Sequence, residues 1–218
     1  MINDIVARRT DLESGRWVEI IRDNVGENPM RDWDWEGQLV LIPRYSWAGT
    51  DASNDPSDDD FRERLRSIRI CGGVVLPVYA YDHSGVRFST SNGYPFCDPF
   101  DGRMAGYAYV TRESILKNYG GDSVLAVEYL KAMVHYADAY SNGECYGYVA
   151  YGPDGNELDS CYGFWHTSEK TWREFMEDIA EDVSDDFAKL IRDCDYGTLD
   201  PLEVIPARYY VPGFAPVV

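Results

Sequence analysis

The sequence predicts an α+β fold: a mixed, mainly antiparallel sheet packed against two or three helices, with an acidic helix toward the C-terminus. Three observations predict it. Short β-branched and aromatic runs are separated by turn residues, several other segments carry apolar residues at helical spacing, and Gly152-Pro153-Asp154-Gly155 joins two strand-like runs as a hairpin. With 44% hydrophobic and 14% aromatic residues in 218, the chain can bury a core despite its acidity. The expected organisation is an α+β core over residues 1–166, carrying an acidic helical extension and Pro-rich tail over 167–218.

In order along the chain, Arg16 to Asn24 mixes charged and β-branched residues and ends at Gly26-Glu27-Asn28-Pro29, which predicts a first strand and a turn. Gln38 to Ile42, stopped by Pro43, predicts a second strand, reached through the loop Asp32-Trp33-Asp34-Trp35, whose tryptophans are expected to pack on the core. Asp51 to Asp60 is a polar loop leading to a helix with Phe61, Leu65 and Ile68 on one side. Val74 to Tyr81 and Val86 to Thr90 flank Asp82-His83-Ser84-Gly85 as a hairpin, with Pro77 demanding an edge or bulge position because it has no N–H to donate.

Gly106 to Val110 predicts another strand, and Thr111 caps a helix that Gly120-Gly121 closes. From Asp122 to Asn142-Gly143 a longer helix follows, with Leu125, Tyr129, Ala132, Met133, Tyr136 and Tyr140 on its predicted buried face. Glu144 to Tyr151 and Asn156 to Phe164 form the second hairpin, since Pro153 presets φ and Gly155 supplies a positive φ. From Ser168, Trp172, Phe175, Met176, Ile179 and Val183 form an apolar stripe that continues or restarts through Phe187, Leu190 and Ile191. Asp200 to Val218, with four prolines, reads as an extended strap.

Charge narrows the function classes. The 38 acidic against 20 basic side chains give a net charge of −18, a field that repels nucleic acid and anionic membranes and attracts basic surfaces. No apolar stretch is long enough to span a bilayer, and the N-terminus lacks the order of a signal peptide, so a cytoplasmic location is expected. Cys71, Cys97, Cys145, Cys161 and Cys194 are odd in number and never spaced C-x-x-C, so they read as reduced, mostly buried thiols. No phosphate-binding glycine motif and no metal-ligand spacing occurs, so no cofactor and no metal is implied.

The ordered motifs VVLPVYAYDHSGVRFST, GYAYVTRESILKNYG and ECYGYVAYGPDGNELDSCYGFWH carry a resemblance over residues 17 to 165. They are similar to a family of phage and mobile-element proteins sharing L-P-[LV]-Y-x-Y-D-H-S-G, G-[YF]-x-Y-V-[ST]-[KR]-E and D-S-C-[WY]-G-F. That resemblance implies a mobile-element context, in which small acidic accessory proteins resemble inhibitors of host restriction or CRISPR systems. The expected partner is then a host nucleic-acid-binding defence protein. The acidic extension after Phe164 departs from the compact family pattern.

Two sets of residues are candidates. Residues 169–203 hold twelve carboxylates and four basic side chains, and Glu174, Glu177, Asp178, Glu181, Asp182, Asp185 and Asp186 crowd the predicted helix surface. Like charges one turn apart cost a few tenths of a kcal/mol each, so the row reads either as an ordinary solvated face or as a phosphate-like surface for a DNA-binding groove. Alternatively, His83 beside Asp82, with Ser160 or Cys161 as nucleophile, would make a small hydrolase if they met in space. The competing account of the His83 segment is a tight turn in which Asp82 and Ser84 bond the local backbone. A third reading is a structural or regulatory mobile-element protein.

Overall fold

The computed structural model describes residues 4–24 and 26–200. In chain order, β1 (Ile5–Thr10) and β2 (Trp17–Arg22) precede a short helix α1 (Pro29–Asp32), β3 (Gln38–Leu41), a 3-10 helix at Pro43–Ala48 and α2 (Asp59–Ile70). Next come β4 (Val74–Asp82), β5 (Val86–Ser89), β6 (Gly102–Val110), α3 (Arg112–Asn118) and α4 (Ser123–Ser141). The chain continues through β7 (Cys145–Tyr151), β8 (Glu157–Trp165), α5 (Trp172–Glu181) and α6 (Asp185–Arg192). The α+β class is as predicted, but among the described residues the strands form two four-stranded sheets rather than one, and these strands pair with one another antiparallel throughout.

The chain divides into two compact units. Residues 4–24, 145–166 and 170–200 form one, and 26–144 with 167–169 form the other, which is not the division at 166 that the sequence implies. The reason is strand pairing: β2 pairs with β7, so the second hairpin joins the first strands and the C-terminal helices instead of the central segment.

In the discontinuous unit the sheet order is β1-β2-β7-β8. Val18, Ile20, Tyr146, Tyr148 and Ala150 face the apolar stripes of α5 and α6, Phe175, Met176, Ile179, Phe187 and Ile191, in one core. Burial of such side chains contributes about 1.5–3 kcal/mol each before entropy is charged. The helix breaks at Asp182 to Ser184 and restarts, the second of the two alternatives the sequence left open, while Val183 in the break stays in the core. Strand β1 went unpredicted because IVARRT has no alternation: Ala7 alone in it is fully buried. Residues 201–218 of the predicted strap lie outside the described residues, while Asp200 Oδ2 accepts the Thr10 amide at 3.0 Å.

In the other unit the order is β3-β6-β4-β5. Helix α4 packs on the sheet through Ala126, Leu130, Met133, Val134 and Ala137, and α2 contributes Phe61 and Leu65 to a smaller cluster with Val40 and Val75. The predicted α4 face is therefore rotated by about one position, leaving Leu125 53% exposed. Tyr129 and Tyr136 do pack, partly buried, against the same core, and there they also meet Trp35 and Trp33. Pro77 is met as expected: it pairs with Tyr107 on one side only, because β5 reaches no further than Tyr79, and a register shift follows at Val78/Tyr79. Asn28-Pro29, expected to turn, caps α1, with Asn28 Oδ1 accepting the Met30 amide at 2.9 Å.

Among the described residues no helix is long and apolar enough to cross a membrane. The cysteines depart from the expectation: Cys145 and Cys194 are buried, but Cys71, Cys97 and Cys161 are exposed. Cys161 lies on β8, an edge strand whose residues are all exposed or half-buried.

Candidate functional site

Helices α5 and α6 set the acidic surface. Thr171 begins α5 as a capping box: its hydroxyl accepts the Glu174 amide, and the Glu174 carboxylate accepts the Thr171 amide at 2.8 Å. The Thr171 amide, with the Thr171 hydroxyl that also donates to the carboxylate, holds the Glu174 carboxyl below the usual carboxylate range. Glu174 is thus engaged in starting the helix.

The other six carboxylates are all exposed, with differing surroundings. Glu177 meets Arg192 Nε at 2.7 Å, Asp178 pairs with Lys170, and Asp186 meets Arg16 at 2.7 Å. Glu181, Asp182 and Asp185 make no ion pair among the described residues. Asp185 stands in the first turn of α6, where the helix dipole favours a negative charge. Glu181 and Asp182 stand at the C-terminal end of α5, where the dipole opposes negative charge, and the last turn of α5 has no basic residue. Each such placement costs about 0.3–1 kcal/mol.

The same two helices frame a cleft that the sequence did not reveal. Its volume is about 580 Å³, and Arg9, Arg173, Arg192, Thr171, Trp172, Asp193, Cys194 and Asp195 line it. Arg9 approaches Asp200 at 3.7 Å and Arg192 is held by Glu177, while Arg173 has no ion pair among the described residues. Trp172 Nε1 donates to the Cys194 carbonyl at 2.9 Å. Burial pushes the Cys194 thiol up to about 12, so it stays protonated at neutral pH and is no nucleophile. Cations and carboxylates mix in this cleft, brought together from three separate places in the chain that no local pattern connects.

The histidine hairpin belongs to the other unit. Its turn is tight, with Ser84 at φ 60° and His83 N–H donating to the Gly85 carbonyl at 3.1 Å. The carboxylate facing His83 Nδ1, at 3.2 Å, is Asp101 and not the neighbouring Asp82. Asp82 instead accepts the Tyr45 hydroxyl at 3.1 Å and pairs with Arg44 at 2.5 Å. Ser160 donates to Glu157 at 2.7 Å, and the Cys161 thiol lies 3.8 Å from the Tyr162 carbonyl. Among the described residues of their own unit, neither Ser160 nor Cys161 meets an imidazole.

No protein-family model, curated protein or solved structure matches the chain.

Proposed function

We propose that the chain is a phage-type inhibitor that binds a basic, nucleic-acid-binding surface of a host defence nuclease or CRISPR effector, its carboxylates on α5 and α6 substituting for backbone phosphates. The observation that carries this reading is the Glu181 and Asp182 pair, exposed, without an ion pair among the described residues, and at the helix end where negative charge is least favourable. A solvated face kept for solubility has no need to concentrate charge there. The net charge of −18 adds a long-range field that speeds encounter with a cationic surface.

The test is capture of DNA-processing proteins from a host lysate by the intact chain and by one carrying Glu181→Lys, Asp182→Lys and Asp185→Lys. A partner that is lost on the triple reversal, released at high salt and competed off by duplex DNA supports mimicry. A partner retained by the reversed chain, or indifferent to DNA, moves the interface elsewhere.

A second reading, a small hydrolase, draws on the Asp101-oriented imidazole of His83, the geometry by which a carboxylate orients a general base. Under that reading His83→Ala abolishes function with folding intact, and the acidic reversals do little.

A further inference from the structure

The tyrosines at the margin of the buried face of α4 meet a second set of rings. Trp33 packs edge-on against Tyr136 at 5.1 Å, and Trp47 tilts over Tyr140 at 6.1 Å. Tyr136 and Tyr140 are one helical turn apart on α4, which sets the two ring pairs side by side along the helix as a row. Both tryptophans remain accessible, Trp33 at 37% and Trp47 at 44%. Exposed, packed tryptophan is the side chain most enriched at binding hot spots.

The row is held from behind. Trp35 stacks on Trp33 at 6.0 Å and donates from Nε1 to the Pro29 carbonyl at 2.6 Å. Arg31 donates to the Ser46 carbonyl at 2.8 Å and Asn28 to the Trp47 carbonyl at 3.4 Å, which ties the 3-10 helix to α1. Rings so fixed lose little rotamer entropy when a partner covers them.

Charge selects the occupant. Residues 26–36 contain Glu27, Asp32, Asp34 and Glu36 against one cation, Arg31, and Asp32 and Asp34 flank Trp33 directly. Glu27, Asp32 and Asp34 are exposed, and neither Glu27 nor Asp34 has an ion-pair partner among the described residues. Bases would stack on such rings, but their phosphates would meet this local negative charge and the net −18.

We infer that the Trp33-Tyr136-Tyr140-Trp47 row is a docking platform for an arginine-bearing segment of a basic protein partner, with guanidinium groups over the indole faces and Asp32 and Asp34 as counter-charges. This rests on the reading of the partner as basic and adds a second anchor, independent of α5 and α6.

The experiment titrates the full chain into a labelled nonaarginine peptide and into the same peptide with citrulline at every position, each at about 50 and about 300 mM salt. Trp33→Leu and Trp47→Leu are expected to weaken arginine-peptide binding about tenfold each, and Trp33→Phe less. The Glu181, Asp182 and Asp185 reversal serves as the comparison, and thermal melts verify that each variant folds. Losses below about twofold in both leucine variants, or equal binding of the citrulline peptide, overturn the platform. If the tryptophan variants bind normally while the triple reversal does not, the platform fails and the acidic-helix reading survives. The converse result supports the platform and removes the acidic helices as the anchor.

Discussion

Asp138 lies on α4 with its carboxylate 2.8 Å from Arg87 Nη2 and 2.7 Å from the Phe88 amide, and it is 3% exposed. Burial raises its pKa, against the lowering effect of Arg87 and the amide. Because the folded value is raised, folding favours the protonated form: this contribution is complete below the ordinary value of 3.8 and is lost as pH rises through the folded value. The stability of the wild type relative to Asp138→Asn should therefore fall over the pH window just above 3.8, as read by urea unfolding at stepped pH. At neutral pH Asp138→Ala should cost about 2–4 kcal/mol, by stranding a buried amide and breaking the ion pair, and Asp138→Asn about half as much. None of this was legible in the sequence, where Asp138 is one polar residue on a predicted helix; only the β5 edge brings Arg87 and the Phe88 amide to it. The thiols give a second residue-scale expectation. Cys71, Cys97 and Cys161 should alkylate rapidly in the native state, while Cys145 and Cys194, buried and pushed up to about 12, should react only on unfolding, as mass spectrometry would show.

At the scale of elements, the capping box of α5 separates structural from surface charge. Thr171→Ala should destabilise the chain by about 1 kcal/mol, measured by thermal or chemical unfolding, without altering capture of a basic partner. The pairing of β3 with β6 depends on Gly106, where an added Cβ would run into the Val40 carbonyl oxygen and come within 2.9 Å of Leu41 Cα. Gly106→Ala should cost about 1–3 kcal/mol or more, because backbone and not a side-chain tip is what must move. The second hairpin was predictable because Pro153 and Gly155 specify its turn locally, and Gly155 does adopt φ 74°. What could not be read is that β8 ends its sheet. It is blunted there by register shifts opposite Tyr146/Gly147 and Ala150/Tyr151, with Gly163 at φ 88°. The buried face of α4 is centred one position from the predicted one: Ala126, Val134 and Ala137 are buried, while Tyr129 and Tyr136 sit at its margin, partly buried against the same core and against the tryptophans.

For the whole molecule, a net charge of −18 implies self-repulsion that salt relieves. The melting temperature should rise by several degrees between about 50 and about 500 mM sodium chloride, and a flat response would mean that local ion pairs already offset the field. By itself the sequence determined the α+β class, the helices from α2 onward with the Thr111 cap, the two hairpins and the acidity of the C-terminal segment, because periodicity, turn chemistry and composition act over a few residues. Only the tertiary structure decided that the strands divide into two sheets and that the last helices share a core with the first strands. It likewise decided that Glu174, Glu177, Asp178 and Asp186 are engaged while Glu181, Asp182 and Asp185 are not, and that Trp33 and Trp47 line up with the tyrosines of α4. Those outcomes depend on pairings between residues far apart in the chain, which no local pattern encodes.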